Sequence, residues 1–241
     1  MEHSCGEFVF YLMETGDLVS TSCSVFGERS LKMVKQSLFV VLFLLLMSIA
    51  NSAMAQGKHS FEELLTKVKQ FDRSVDFQAL RFSYAETPNY NPYSESMEMR
   101  SAILKALNEK EFQQALQSAQ TILEKNYVDL DAHFACRIAY KELGDSDKAS
   151  FHDFVLRGLL RSLMTSGDGK SPETAFQVIS ITEEYIVLDM LNLVTKDQKL
   201  VGLNTHQYDV MTAVHRETKE VLTVYFNVDI PFNWLNRQFK K

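Results

Sequence analysis

The sequence predicts an α+β protein in which helical hairpins resembling tetratricopeptide repeats precede a small antiparallel β-sheet. Apolar residues recur with helical period between residues 60 and 164, and runs rich in Val, Ile, Tyr and Phe follow residue 174. A loop of Ser, Gly, Asp and Pro at residues 166–172 separates the two parts. The 241 residues are 46% hydrophobic and 23% charged, which is typical of a folded globular protein.

An apolar segment near the N-terminus has the pattern of a secretory signal peptide. Residues 38–50 are almost entirely apolar, Lys32 and Lys35 precede them, and the triplet Ala53-Met54-Ala55 follows. The run is shorter than the ~20 residues that a membrane-spanning helix needs, which disfavours the alternative of a permanent anchor. We expect residues 33–55 to be removed and the mature protein to be secreted or periplasmic, with no membrane contact after cleavage.

Residues 1–32 do not fit this signal. They carry five acidic residues against two basic ones, whereas a signal peptide begins with a short, positive segment. We interpret residues 1–32 as a mis-called extension, with Met33 as the true start; a cellular peptide from this stretch would contradict that interpretation. The mature chain is then one domain, residues 56–241, with a helical part at 56–165 and a β part at 166–241. Cys136 is its single cysteine, so it cannot form an internal disulfide.

Five helices are predicted in the helical part. The first begins at Ser60, which forms a capping box with Glu63, and ends near Phe71. The other four are expected at about residues 97–108, 111–126, 131–143 and 146–164. The links between these four are short, which favours antiparallel packing of neighbours.

The four later helices resemble two tetratricopeptide repeats. Ala115 and Ala149 lie 34 residues apart, the period of that repeat, and Gly144 supplies the left-handed residue that ends a helix. Solenoids normally need at least three repeats. We therefore expect the first helix and the sheet to cover the open ends.

Four strands are predicted in the β part, at about residues 175–182, 185–191, 208–215 and 221–228. The last two alternate between apolar and polar residues, and the polar stretch 216–220 between them suits a hairpin loop. The run at 185–191 is the least distinct, because a short apolar run can equally be helical. Pro231 ends the pairing, and a short closing helix is expected around Trp234.

No complete catalytic or metal-binding motif is present. The Gly169-Lys170-Ser171 triplet lacks the upstream glycine and the strand-to-helix context of a phosphate-binding loop. His133 and His152 lie on neighbouring predicted helices and could meet in space, although hydrogen-bonded helix histidines are a better interpretation than a metal site. Cys136 is expected to be a small buried hydrophobe and not a nucleophile. We therefore predict no cofactor and no metal.

Candidate binding residues come from two parts of the sequence. Arginine and tyrosines are favoured recognition anchors, and one segment holds four of them, although tyrosines that pack with a polar tip are the alternative. These four are Arg81, Tyr84, Tyr90 and Tyr93. The loop residues Asp168 and Lys170 and the acidic Glu184 are further candidates, although Glu183 and Glu184 are expected to lie in a solvated turn.

These observations favour a binding protein over an enzyme. The net charge of −6 disfavours nucleic acid as a partner, because phosphates require a basic face. Helical hairpin repeats present concave faces that bind peptides, so we expect a non-catalytic adaptor whose partner is an envelope protein or peptide. The alternative is a hydrolase acting on an envelope polymer. Its candidate residues are His133, His152, Asp168 and Glu184.

Several segments together resemble the family of exported bacterial proteins known as domain of unknown function 4919. The resemblance spans roughly residues 76–228, and its specific part is the string S-G-D-G-K-S-P-E-T-A-F at 166–176. The other segments are Tyr90-Asn91-Pro92-Tyr93, Gly144-Asp145, Glu184-Tyr185 and Val224-Tyr225-Phe226-Asn227-Val228. The resemblance implies export and a one-domain architecture, leaves the activity open, and suggests that the Gly-Asp-Gly loop matters to the architecture.

Overall fold

The computed structural model describes residues 60–93 and 97–240, and within these it is an α+β protein, as predicted. The proposed extension at 1–32 and the signal at 33–55 lie outside the described residues. The first six helices are α1 (Phe61–Lys69), α2 (Phe77–Tyr84), α3 (Met97–Asn108), α4 (Phe112–Lys125), α5 (Leu130–Glu142) and α6 (Ser146–Met164). A 3₁₀ turn at Pro172–Thr174 follows, and then come β1 (Phe176–Gln177), α7 (Ile181–Met190), β2 (Leu193–Leu203), β3 (His206–His215), β4 (Val221–Asn227) and α8 (Asp229–Phe239).

The five helices predicted in the helical half are present. Ser60 and Glu63 form the expected capping box, and Gly144 ends α5 with a φ of 82°. Helix α4 packs on α3, α5 on α4, and α6 on α5, around a core in which small residues let the helices approach closely. These small residues are Ala119, Ala132, Ala135, Ala139 and Ala149. The likeness to tetratricopeptide repeats stays a prediction.

Two segments form helices that the sequence analysis missed. No helix was predicted at residues 77–84, but they form α2, whose first turn is capped by the Asp76 carboxylate accepting from the Gln78 and Ala79 amides. Residues 185–191 were predicted as a strand but form the last part of α7 and its C-cap, Leu191. The Ser180 hydroxyl caps α7, and Glu183 and Glu184 lie in its first turn, where the helix dipole favours negative charge.

The sheet is mixed and not antiparallel. Its order is β1-β4-β3-β2, with β1 parallel to β4 and the other two pairs antiparallel. Of the strand predicted at 175–182, two residues form a strand, β1. Strand β2 was missed because most of its side chains are exposed and polar residues occupy both faces, so its sequence does not alternate. The inner face of the sheet packs with α1, α2, α6 and α7 in the larger apolar core.

The Gly-Asp-Gly loop fastens α6 to the sheet through its backbone. The amides of Asp168 and Gly169 both donate to the Thr174 carbonyl, at 2.9 and 2.8 Å, and the Gly169 carbonyl accepts from the Tyr225 amide at 2.8 Å. The exposed Asp168 and Lys170 side chains form an ion pair with each other at 3.2 Å. Hydrogen bonds from Thr174 and the Lys170 backbone lower the pKa of Asp168 to about 2. These two candidate residues therefore stabilise their own loop.

Replacing Gly169 with alanine is expected to destabilise the protein more than replacing Gly144. Both glycines have positive φ, which costs an L-residue roughly 1–2 kcal/mol. A Cβ at Gly169 would also lie 2.7 Å from Phe176 and 2.9 Å from Val224, whereas one at Gly144 meets nothing within 4 Å. We expect Gly169→Ala to lower the free energy of unfolding by about 2 kcal/mol more than Gly144→Ala, measured by urea titration. Equal losses would contradict this.

Candidate functional site

Helix α7 joins three environments through consecutive side chains. Glu183 enters the core toward α2, Glu184 points toward the sheet, and Tyr185 is exposed beside α3 and α5. The expected solvated turn at Glu183 and Glu184 is therefore wrong. Both carboxyl groups are buried because α7 lies between the helical half and the sheet.

Arg81 is an internal cross-link and not a surface anchor. Its guanidinium is fully buried and donates to both carboxylate oxygens of Glu183, at 2.9 and 2.6 Å. It also donates to the Ser162 hydroxyl at 3.0 Å and to the Gln177 carbonyl at 2.9 Å. Glu183 accepts one more hydrogen bond, from the Ile179 amide at 2.8 Å. One side chain thus connects α2, α6, β1 and α7, and the proposed recognition role of Arg81 is corrected to a structural one.

The three candidate tyrosines differ in exposure. Tyr84 and Tyr90 are buried, and their hydroxyls donate to the Lys125 carbonyl at 3.3 Å and the Ile179 carbonyl at 2.5 Å. Both tyrosines therefore fit the alternative interpretation, in which the ring is packed in the protein and the hydroxyl forms a hydrogen bond. Tyr93 is 45% exposed, and its ring lies 5.9 Å from that of Trp234. Of the four predicted anchors, only Tyr93 is placed to contact a partner.

Glu184 is a buried acid to which the described residues offer no hydrogen bond of ordinary length. It is fully buried, and neither carboxyl oxygen has a partner within the described residues. Burial, and to a smaller extent the interactions with Asp209 and Glu183, together raise its pKa to about 9. No hydrogen bond of ordinary length joins Glu184 to Asp209. Glu184 is therefore protonated at neutral pH.

Asp209 is the residue that sequence reasoning missed at this site. It lies on β3 with the same parity as the buried Met211 and Ala213, so its side chain points to the core face of the sheet. It accepts a hydrogen bond from Gln198 of β2 at 2.7 Å, and burial raises its pKa. Its negative charge also raises the pKa of Tyr93, after the larger effect of burial. The alternation of the strand did not reveal it, because the more apolar residues in the sequence are Tyr208, Val210 and Val214, which have the opposite parity.

A mainly apolar groove lies on the outer side of α7. Its volume is about 570 Å³, and α3, α5 and α7 form its walls. Three large side chains that line it are exposed to solvent: Leu104, Phe134 and Tyr185. Ile103, Ala135 and Ile186 lie behind them. Exposed apolar side chains grouped in one concavity are typical of a binding surface.

The charged side chains at this groove leave it with a negative balance. Arg100 pairs with Asp129 at 2.7 Å and with Asp131, so its charge is already neutralised. Asp189 lines the groove, is exposed, and pairs at 2.5 Å with Arg216, which lies outside the groove. The charged residues that line the groove are thus one arginine and two aspartates, Asp131 and Asp189. The negative charge of Asp189 contributes to raising the pKa of Asp131, after burial.

The two candidate histidines meet, as the sequence suggested they could. The Nδ1 atoms of His133 and His152 lie 2.9 Å apart, and His133 Nε2 lies 2.8 Å from the Tyr127 carbonyl. Burial lowers the pKa of both to about 4, so both are neutral at pH 7. Within residues 60–93 and 97–240, no three metal-ligating side chains come together. Cys136 is buried and its thiol pKa is raised to about 12, which keeps it protonated.

Comparison with known proteins identifies a family but no individual relative. The family model described as a domain of unknown function, DUF4919, matches residues 49–237. No curated protein and no solved structure matches the chain. Among the described helices, none combines the length and apolar character needed to cross a bilayer.

Proposed function

The chain belongs to the DUF4919 family, and we propose that it is an exported, non-catalytic adaptor that binds an apolar segment of an envelope protein in the groove between α3, α5 and α7. The observation that carries the proposal is the cluster of Leu104, Phe134 and Tyr185, which are exposed although they line a concave surface. Contact between such apolar side chains and water is unfavourable, and a bound partner would remove it.

The size and shape of the groove suit a helical or extended peptide. A volume of about 570 Å³ is within the roughly 300–1,000 Å³ of ordinary ligand sites. Helices α3 and α5 are held by the small-residue core and α7 by the larger apolar core, so the groove is formed before a partner arrives. A preformed site loses little conformational entropy on binding.

The charges favour a partner segment that carries a basic residue. Asp189 is 68% exposed, and its bond to Arg216 is a surface ion pair, which contributes little and can be exchanged. A lysine or arginine next to the apolar stripe of a partner would meet Asp189 and Asp131. An acidic partner would meet like charge and be excluded.

Export is part of the proposal and is supported by the signal pattern at residues 33–55. A secreted or periplasmic location would place the groove among envelope proteins. Cell fractionation with an antibody to residues 97–240 tests it, and cytoplasmic retention of the full-length chain would contradict export.

The groove is tested with two matched helical peptides that share one leucine stripe and carry either lysines or glutamates. We expect the lysine peptide to bind in fluorescence anisotropy. Phe134→Ala and Tyr185→Ala should each weaken it at least about tenfold, as buried aromatic anchors do. Leu200→Ala, which removes an exposed leucine of β2, is the matched control and should leave affinity unchanged.

Failure of both peptides to bind would overturn the groove as a peptide site. Equal affinity for the lysine and glutamate peptides would overturn the charge argument. The hydrolase alternative has one supporting observation, the protonated Glu184 beside Asp209. It is the weaker proposal because Glu184 is fully buried and cannot touch a polymer in this conformation.

A further inference from the structure

We propose that a second cleft, between α1, α4 and α6, binds a neutral, hydroxyl-rich ligand of the saccharide class, with His152 Nε2 accepting a hydrogen bond from a ligand hydroxyl. This cleft is separate from the groove, because the two share no lining residue. The inference therefore does not depend on the proposed function.

The cleft has the size and composition of a ligand site. Its volume is about 660 Å³, within the roughly 300–1,000 Å³ of ordinary ligand sites. Three aromatic side chains of the lining are partly exposed, and such rings can pack against the C–H face of a sugar ring. These rings belong to Phe61, Tyr127 and Phe151. Asn89 and Gln120 add amide groups that can both donate and accept hydrogen bonds.

A chain of hydrogen bonds fixes the state of His152. The Tyr127 carbonyl can only accept, so His133 Nε2 must carry the proton that it donates. The ring of His133 is neutral, which leaves its Nδ1 as an acceptor. His152 Nδ1 at 2.9 Å must then be the donor, and its own Nε2 is left as an acceptor.

The acceptor on His152 has no hydrogen-bond donor among the residues that the structure describes. Among the described residues, no hydrogen bond to His152 Nε2 is formed, and the atom is not enclosed, although most of the residue is buried and it lines the cleft. Its ring is held by stacking on Tyr140, at 5.5 Å and 22°, and the Tyr140 hydroxyl accepts from Gln120 at 2.8 Å. An oriented acceptor that solvent can reach and that lacks a protein donor is available to a ligand hydroxyl.

The electrostatics of the cleft favour a neutral ligand. The charged residues of the lining are two acids and two bases, so their charges cancel: Glu62, Glu124, Lys69 and Lys125. Lys69 also lies over the Tyr127 ring at 5.6 Å. His152 is uncharged at neutral pH because burial, and then His133, lower its pKa to about 4. An anion would find no net positive charge here, whereas hydroxyl groups would find an acceptor, amides and aromatic faces.

The test uses both residues 56–241 and the full-length chain. Binding of three probes, maltotriose, chitotriose and trigalacturonate, is measured by NMR chemical shifts and by calorimetry. We expect a neutral trisaccharide to bind with a Kd of about 1 mM or tighter, and the anionic one at least about tenfold more weakly. His152→Phe keeps the stacking ring and removes the acceptor, and should weaken binding at least about tenfold.

His152→Phe leaves His133 Nδ1 without its hydrogen-bond donor and could therefore fail to fold. A second variant covers that case. Asn89→Trp obstructs the cleft from an exposed position and should abolish binding, whereas Leu104→Ala in the groove should not change it. The proposal is overturned if neither neutral trisaccharide binds at about 10 mM, if trigalacturonate binds better, or if Asn89→Trp binds as the parent does.

Discussion

Replacing Glu184 with glutamine is expected to stabilise the protein at pH 7 by about 3 kcal/mol, which is unusual for a change to a buried core residue. Glutamine has the shape of the protonated acid but never ionises. The parent must keep a proton on Glu184 that its unfolded chain would release, and this lowers the free energy of unfolding.

The sign of the effect follows from the two pKa values. The folded-state pKa of Glu184 is about 9, raised by burial, against an ordinary value of 4.5. Below pH 4.5 both states hold the proton, and the parent has its full stability. As pH rises from 4.5 toward 9, the unfolded state loses its proton first and the parent becomes less stable. The advantage of Glu184→Gln should therefore vanish near pH 4 and grow through pH 8.

Urea titrations of both proteins at pH 4, 6 and 8 measure this effect. Asp209→Asn is an informative companion, because Asp209 contributes to the high pKa of Glu184. It should stabilise the protein in the same direction but less, since burial is the larger cause. A Glu184→Gln variant that is less stable than the parent at pH 8 would show that the carboxylate has a partner that the fold supplies.

Replacing Arg81 with methionine is expected to lower the free energy of unfolding by about 3–5 kcal/mol, the loss found when one member of a buried ion pair is removed. Arg81 makes four hydrogen bonds to three elements, and Glu183 would be left buried and charged. A loss of this size is a large part of the roughly 5–15 kcal/mol that holds a domain folded.

The double variant Arg81→Met with Glu183→Gln separates the lost bonds from the stranded charge. It should be more stable than Arg81→Met alone, because a neutral amide at position 183 can still accept from the Ile179 amide. The exposed pair of Arg216 and Asp189 is the matched control, and Arg216→Ala should cost less than about 1 kcal/mol. Comparable losses for Arg81→Met and Arg216→Ala in chemical denaturation would refute the structural role of Arg81.

Sequence reasoning identified several residues of the site but assigned some of them the wrong role. Tyr93 and Glu184 were named, and the structure places both near Asp209. Arg81 and Tyr90 were named as surface anchors but serve as internal contacts. Aromatic and arginine side chains suit recognition and burial equally well. Only the packing of α2 against α6 and α7 decides between these uses.

The groove was beyond sequence reasoning for a different reason. Leu104, Phe134 and Tyr185 come from three helices that are far apart in the chain. Each is an ordinary apolar residue in its own helix. In addition, Tyr185 was assigned to a strand, because a short apolar run has no period that distinguishes strand from helix.

By itself, the sequence determined the features that depend on near neighbours in the chain. These are the α+β class, the capping box at Ser60, the four helices from residue 97 to 164, the hairpin strands β3 and β4, and the family. Tertiary structure alone decided the parallel pairing of β1 with β4, the burial of Glu183 and Glu184, and the meeting of His133 with His152. Periodicity and capping act within one or two turns, whereas the cost of burying a charge and the geometry of a cleft depend on residues distant in sequence.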